Sequence, residues 1–310
     1  MVCLAVAMAG LLTAVAPSTA SAQPLPNPKH SDPTDKFHPL EPWLPTPNVY
    51  RTASGAPGAQ YWQQRADYKI DISLNDENQS LSGTCEITYH NQSPDTLDYL
   101  WVQLDQNRFK NDSVAITSKS APGIGSQATF KFVETMLAQQ AFDGGYKISS
   151  VTDGKGGEID HLIVDTMMRV DLAKPLPPGK STQLAIEYSY NIVDAKVIRA
   201  RGGYEFFEDD KNYIYEIAQW FPRMAAYTDY TGWQHHQFLG SGEFTLELGD
   251  YDVSIEVPAD MVVASTGTLK NTDDVLKPEW KTRLAKMNKG EDLEFIVTPE
   301  EAKENEKSKS

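Results

Sequence analysis

Alternating apolar and polar positions along much of the chain predict β-strands. Between residues 68 and 74, apolar side chains alternate with Lys69, Asp71 and Ser73. Residues 81–89 alternate in the same way, after a polar turn at residues 75–78. Because successive side chains of a strand point to opposite faces, the pattern predicts two half-buried strands joined as an antiparallel hairpin.

The same alternation recurs further along the chain. It is found at residues 99–104, 159–164, 168–172, 184–190, 213–217 and 251–257. A segment rich in proline and glycine at residues 174–180 predicts a turn, and only residues 134–141 favour a helix in this part of the chain. Many short strands with polar turns predict a mainly β fold, an antiparallel β-sandwich or saddle, over residues 61–269.

The pattern changes after Leu269. A proline at position 278 and a glycine at position 290 bound a segment that suits a helix, because proline is favoured in the first turn and glycine after the last. Residues 295–297 suggest a brief strand, and a second charged helix begins at Pro299. Residues 270–310 are therefore predicted to form a short helical and charged C-terminal tail.

The first 22 residues have the form of a secretory signal. An apolar run over residues 2–16 is followed by small residues that end in Ala20-Ser21-Ala22, a pattern that signal peptidase cleaves. The run is too short for a membrane span. We expect a secreted or periplasmic protein in which residues 23–60, rich in proline, aspartate, histidine and serine, form an irregular arm.

Charge and cysteine content exclude several kinds of function. The 310 residues carry 43 acidic and 28 basic side chains, a formal net charge of -15, which argues against nucleic-acid binding and against anionic lipid. Cys3 would be removed with the signal, so no intrachain disulfide is expected. Cys85 falls on the apolar side of its strand and is predicted to be a small core residue rather than a reactive thiol.

The histidines do not have the spacing of a helical zinc site. Such a site needs two histidines four positions apart with a glutamate between them, and none of the six histidines forms such a pair. His235 and His236 would point to opposite faces of a strand and are interpreted as hydrogen-bonding loop residues. We expect no metal, no cofactor and no catalytic residue in this chain.

One long stretch resembles the end of the N-terminal β-domain of aminopeptidase N-like zinc metallopeptidases, in particular the bacterial branch. The residues that carry the resemblance are AQWFPRMA (218–225), GWQHHQFLG (232–240), GEF (242–244), GDYDV (249–253), SIEVPAD (254–260) and STGTL (265–269). The family's His-Glu-x-x-His zinc motif and its Gly-x-Met-Glu-Asn strand do not occur. The resemblance implies a chain that ends before the catalytic domain, is inactive alone, and leaves the zinc to that missing domain.

The resemblance assigns roles to particular residues. Gln219 would project into the substrate cleft and contact the first side chain or the amino end of a peptide, whereas the alternative is a glutamine that satisfies backbone groups at a strand end. Glu216 could supply a negative charge to the same amino end, although a strand carboxylate is usually only solvated. Packing against the missing catalytic domain is expected for Trp220, Phe221, Arg223, Trp233 and Phe238, and the alternative for the four aromatic residues is that they line a substrate subsite. Arg223 is also expected to fix its loop through a carboxylate pair.

Two functional hypotheses remain open from the sequence. In the first, the chain is the substrate-gating portion of a secreted zinc aminopeptidase, whose partners are the peptide substrate and the missing catalytic domain. In the second, it is a free-standing extracytoplasmic β-sandwich module that binds peptides or glycans. A His-Glu-x-x-His motif encoded within a few hundred codons after Ser310 would favour the first.

Overall fold

The computed structural model describes residues 47–118, 128–209, 211–242, 244–289 and 295–305. The chain divides into two compact units, residues 1–61 and residues 62–310. In the first unit, the described residues 47–61 are irregular, with one isolated bridge between Arg51 and Pro57. The predicted signal peptide and residues 23–46 of the predicted arm lie outside the described residues.

The larger unit contains the predicted β fold, and its first two strands form the predicted hairpin. β1 (Arg65–Asn75) pairs with β2 (Ser80–Asn91) in an antiparallel register that runs from Asn75 opposite Ser80 to Arg65 opposite His90. Every second side chain of β1 from Ala66 to Ile72 is buried. The alternation in the sequence therefore identifies the buried face of both strands correctly.

Eleven further strands follow in the described part of the chain. They are β3 (Leu97–Gln103), β4 (Lys147–Asp153), β5 (His161–Val164), β6 (Met167–Leu176), β7 (Lys180–Asn191), β8 (Gly203–Phe207), β9 (Asn212–Glu216), β10 (Arg223–Met224), β11 (Tyr227–Thr228), β12 (Gly232–Trp233) and β13 (Tyr251–Glu256). The larger sheet has the order β13-β1-β2-β7-β4, and the second has the order β10-β3-β6-β5. Two small hairpins, β8-β9 and β11-β12, complete the set.

Both larger sheets bury one face in a single hydrophobic core, which is the arrangement of a β-sandwich. The first sheet supplies side chains such as Ile70 and Ile186, and the second supplies Leu100 and Val170. Cys85 is fully buried among them, as predicted, and burial raises the pKa of its thiol. Almost all pairings are antiparallel, but β13 lies parallel to β1 at the sheet edge and all its residues are exposed.

Helices are short and lie mostly outside the core. They are α1 (Val114–Thr117), α2 (Phe130–Ala141), α3 (Thr272–Val275), α4 (Pro278–Asn288) and α5 (Pro299–Asn305), and a 3-10 helix spans Asp105–Phe109. The helices predicted near residues 134–141, from Pro278 and from Pro299 are confirmed. Within the C-terminal tail, the Arg283 guanidinium makes two hydrogen bonds of 2.6 and 2.9 Å to the Glu301 carboxylate.

Two expectations about local structure need correction. The strand predicted at residues 295–297 is not formed, because three apolar residues at the chain surface find no pairing partner among the described strands. The turn predicted at residues 174–180 is shorter, since β6 continues to Leu176 and only residues 177–179 turn. The 3-10 helix and α1 were not predicted, and the 3-10 helix becomes important at the candidate site.

Candidate functional site

The segment between β9 and β10 carries most of the residues that the sequence singled out. Gln219 and Glu216 line the same small cavity, whose volume is about 20 Å³. This is room for one water-sized group, because a buried water needs about 10 to 15 Å³ by the same measure. The structure therefore brings the two predicted substrate-binding residues together at a cavity that suits a small polar group.

The rim of this cavity depends on close backbone approach. Glu216 ends β9 opposite Gly203 of β8, and the neighbouring Gly202 also lines the cavity. A Cβ atom on Gly202 would lie 2.3 Å from the carbonyl oxygen of Glu216, far inside van der Waals contact. Glycine is therefore required at position 202 for the two strands to meet at the cavity.

Gln219 has a left-handed backbone, with a φ of 54°. Its carbonyl oxygen accepts hydrogen bonds from the Gln106 side-chain amide at 3.0 Å and from the Tyr146 hydroxyl at 3.1 Å. Among the described residues, the side-chain amide of Gln219 has no hydrogen-bond partner. The predicted alternative, a glutamine side chain that satisfies nearby backbone groups, is therefore not what these residues form.

Charged groups of both signs surround the cavity. The Glu216 side chain is exposed, and Arg201 lines the same cavity. Asp105, which precedes the cavity-lining Gln106 in the sequence, is buried and forms an ion pair with Arg223, so Arg223 does fix its loop through a carboxylate as predicted. Burial raises the pKa of Asp105, and the positive charge of Arg223 opposes that shift.

The loop that carries Gln219 is fastened to the core at further points. The Cys85 thiol lies 3.6 Å from the carbonyl oxygen of Pro222, within reach of a weak hydrogen bond. The backbone N–H of Met224 donates to the hydroxyl oxygen of Tyr68 at 2.9 Å. Together with β10, these contacts make the loop a fixed part of the domain.

The aromatic residues predicted to pack against another domain fall into two groups. Trp233 and Phe238 are only 7% and 2% exposed within this chain, which leaves little of either side chain for contact with a further domain. Trp220 and Phe221 are half-buried, and their rings meet edge to face with centroids 4.7 Å apart. These two residues directly follow Gln219 in the sequence and retain some exposed surface.

The two adjacent histidines do not lie in a strand, so the expectation that they point to opposite faces is wrong. Their rings are nearly parallel, with centroids 6.3 Å apart. His235 stacks on Trp101, and its Nδ1 lies 3.0 Å from the carbonyl oxygen of Trp233. The hydrogen-bonding loop role is confirmed for His235.

No zinc site can be built from the residues that the structure describes. No group of three or more histidine, cysteine, aspartate or glutamate residues in that part of the chain could hold a metal ion. The zinc that the family resemblance implies therefore does not fit these residues. In the same described ranges, no helix is both long enough and apolar enough to cross a membrane.

Sequence reasoning missed Gln106 and Tyr146, which hold the Gln219 carbonyl. They lie 113 and 73 residues from Gln219 in the sequence. Gln106 belongs to a run of three buried polar residues, Asp105 to Asn107, directly after a strand. Such a run is typical of an ordinary polar connection, so only the fold reveals its role.

Comparison with known proteins gives similarity to solved structures only. No protein-family model matches the chain, and no curated protein matches it. An M1 zinc metallopeptidase mutant from Deinococcus radiodurans, bound to a Tyr-Ser-Ala substrate, is 14% identical with a TM-score of 0.36, over 70% of this chain and 38% of that chain. The M1 zinc metallopeptidase from Deinococcus radiodurans gives 15% identity and a TM-score of 0.33, over 67% of this chain and 36% of that chain.

A two-domain M1 zinc metallopeptidase mutant bound to L-tryptophan is also similar. It is 13% identical with a TM-score of 0.33, over 70% of this chain and 39% of that chain. The chain thus spans between 36% and 39% of the length of these three structures.

Proposed function

We propose that this chain is the N-terminal β-domain of a secreted or periplasmic zinc metallo-aminopeptidase and forms one wall of its substrate cleft. The catalytic zinc would belong to a domain outside these 310 residues. The motif resemblance around Gln219 motivates the proposal. Trp220 and Phe221, which follow Gln219 in the sequence and keep some exposed surface, are the candidates for contact with that domain.

The proposal rests on the conformation and the hydrogen bonding of Gln219. Its backbone is fixed while its side-chain amide has no partner among the described residues, and it shares a cavity with the exposed carboxylate of Glu216. An amide oxygen accepts from an ammonium group, its NH₂ donates to a carbonyl, and it carries no charge to desolvate. The Gln219 amide and the Glu216 carboxylate together suit the amino end of a peptide and the carbonyl that follows it.

The resemblance leaves two roles open for Gln219, contact with the first side chain of a peptide or with its amino end. The size of the cavity helps to choose between them. A volume of about 20 Å³ has room for a group of the size of water or ammonium. The amino end of the peptide is therefore the better candidate for this cavity. A first side chain would lie outside this cavity.

A peptide titration tests the proposal on this chain. Trialanine and N-acetyl-trialanine differ chiefly in the charged amino end, and their dissociation constants can be measured by NMR with isotope-labelled protein. We expect a preference for the free amine that Gln219→Ala weakens by roughly one to two decades, the value of a hydrogen bond to a charged group. Gln140→Ala, on the exposed surface of α2, is the matched control.

Equal affinity for the two peptides would refute amine recognition. Saturable binding of an oligosaccharide, or of both peptides alike, would instead favour the free-standing binding module. A zinc-binding His-Glu-x-x-His motif in the reading frame after Ser310 would support the enzyme context independently of any binding result.

A further inference from the structure

We propose that Gln106 and Tyr146 are positioning residues that hold Gln219 in its left-handed conformation and so present its amide to the cavity. This inference rests on the proposed function, because it concerns the same binding site. It adds two residues that lie outside the motifs of the family resemblance, of which Gln106 lines the cavity and Tyr146 does not. Gln106 and Tyr146 are connected to the site through the main-chain carbonyl of Gln219, to which both donate a hydrogen bond.

The backbone of Gln219 is unusual for its place in the fold. Among the described residues, three other non-glycine residues have positive φ, and each lies in a tight turn between paired strands: Gln79, Asp165 and Lys211. Hairpin turns of that kind require positive φ. Gln219 is not in such a turn, so its conformation, which costs on the order of 1 kcal/mol or more, needs another cause.

The cause is supplied by two buried donors that meet at one peptide group. The Gln106 side-chain amide donates to the carbonyl oxygens of both Ala218 and Gln219, at 3.1 and 3.0 Å. The Tyr146 hydroxyl donates to the Gln219 carbonyl at 3.1 Å. Both side chains are buried, so these bonds do not compete with bulk water and fix the direction in which that carbonyl points.

The donors are themselves held in place. Asn107, next to Gln106, accepts a 2.8 Å hydrogen bond from the backbone N–H of Tyr146 and donates one of 2.6 Å to the carbonyl of Asp165. The Tyr146 ring packs edge to face between Tyr188 and Tyr190, each with centroids 5.5 Å away. These contacts hold the Tyr146 side chain and the 3-10 helix that carries Gln106, so the two donors set the geometry of the Gln219 peptide.

Fixing this peptide has a consequence for the side chain. The peptide plane and φ of Gln219 determine where its Cα–Cβ bond points, and Gln219 lines the cavity in the resulting conformation. A relaxed backbone would turn that bond and remove the amide from the place where it shares the cavity with Glu216. Tyr146, which does not line the cavity, therefore acts on ligand binding through Gln219, and Gln106, which does line it, also holds the Gln219 carbonyl.

The test uses this chain with Tyr146→Phe, Gln106→Met and the double variant, and trialanine as the probe. NMR couplings and backbone chemical shifts report whether residue 219 keeps positive φ. We expect Tyr146→Phe, which loses one buried hydrogen bond, to weaken trialanine binding about two- to tenfold, and Gln106→Met, which loses two, to weaken it at least as much. The double variant is expected to lose the left-handed signature. Tyr188→Phe is the control, because its buried hydroxyl has no partner among the described residues.

A double-mutant cycle separates positioning from general support of the fold. Positioning requires that Tyr146→Phe weakens trialanine binding when Gln219 is present but has no further effect in a Gln219→Ala background. An equal loss in both backgrounds would overturn the inference, as would a left-handed Gln219 in the double variant. If the parent protein binds trialanine and its acetylated form equally well, the proposed function is refuted, and so is the effect of the two donors on ligand binding. The φ of residue 219 in the variants still shows whether Gln106 and Tyr146 hold Gln219 in its left-handed conformation.

Discussion

The Asp105 carboxylate and the Arg223 guanidinium form an ion pair in which the aspartate is almost completely buried. The pair joins the 3-10 helix to β10, at the end of the loop that carries Gln219. Because Asp105 lies next to Gln106 in the sequence, one short helix holds this loop at both ends. The stability of the loop should therefore depend on the pair.

Arg223→Met is expected to destabilise the chain by about 3 to 5 kcal/mol, because it leaves a buried carboxylate without its counter-charge. Urea unfolding followed by circular dichroism measures the change. Arg223→Lys keeps a positive charge and should recover part of the loss. A decrease below about 1 kcal/mol in Arg223→Met would show that the pair contributes little.

Glu247 is expected to give the chain a pH-dependent stability. Burial raises its pKa to about 7, although the backbone N–H of Tyr227 donates a 2.8 Å hydrogen bond that favours the charged form. Between about pH 4.5, its ordinary value, and pH 7 the folded chain keeps a proton that the unfolded chain releases. The free energy of unfolding must therefore fall as the pH rises through this window.

Glu247→Gln should remove that part of the dependence, roughly 1 to 3 kcal/mol between the two ends of the window. Comparing urea unfolding of the parent and the variant below pH 5 and above pH 7 isolates Glu247 from the other carboxylates. Parallel pH profiles for the two proteins would contradict the expectation.

Gln219→Gly should leave the fold intact and stabilise it by up to about 1 kcal/mol, because glycine adopts positive φ without steric cost. The same change should abolish preference for a free amino end, since the amide is lost. Thermal unfolding and the trialanine titration measure the two effects. Marked destabilisation would mean that the side chain itself supports the fold.

The Cys85 thiol should be unreactive in the folded chain. It is fully buried, and burial raises its pKa, so almost no thiolate is available at neutral pH. In a Cys3→Ser background, an aromatic disulfide reagent should label Cys85 only after denaturant is added. Rapid labelling of the native protein would show that this part of the core opens readily.

The sequence predicts the fold well where the signal is local. The alternation along β1 and β2 identifies their buried faces, and a short polar turn between them predicts their pairing. For β13 the strand was predicted but its partner was not, since Tyr251 pairs in parallel with Tyr68, far away in the chain. No local pattern encodes a parallel pairing of that kind.

Some residues of the candidate site can also be identified from local sequence, whereas others are revealed only by the fold. Gln219 and Glu216 could be selected because they stand in or beside a motif, whereas Gln106 and Tyr146 act through the folded arrangement of distant segments. The burial of Trp233 and Phe238 also depends on the fold, because an aromatic residue in a loop gives no sign of which surface will cover it. Roles that arise from a shared carbonyl or a shared core are not visible in a single sequence.

The exposed edge strand β13 bears on the tendency of this chain to self-associate in solution. Tyr251, Val253 and Ile255 alternate along a strand whose outer edge has no neighbour among the described strands, and such edges are templates for pairing between molecules. The net charge of -15 makes two copies of the chain repel each other. Salt screens this repulsion beyond the Debye length, which is about 8 to 10 Å at ordinary ionic strength. Dispersion of this chain in solution thus depends on charge repulsion between whole molecules, which opposes pairing at this edge.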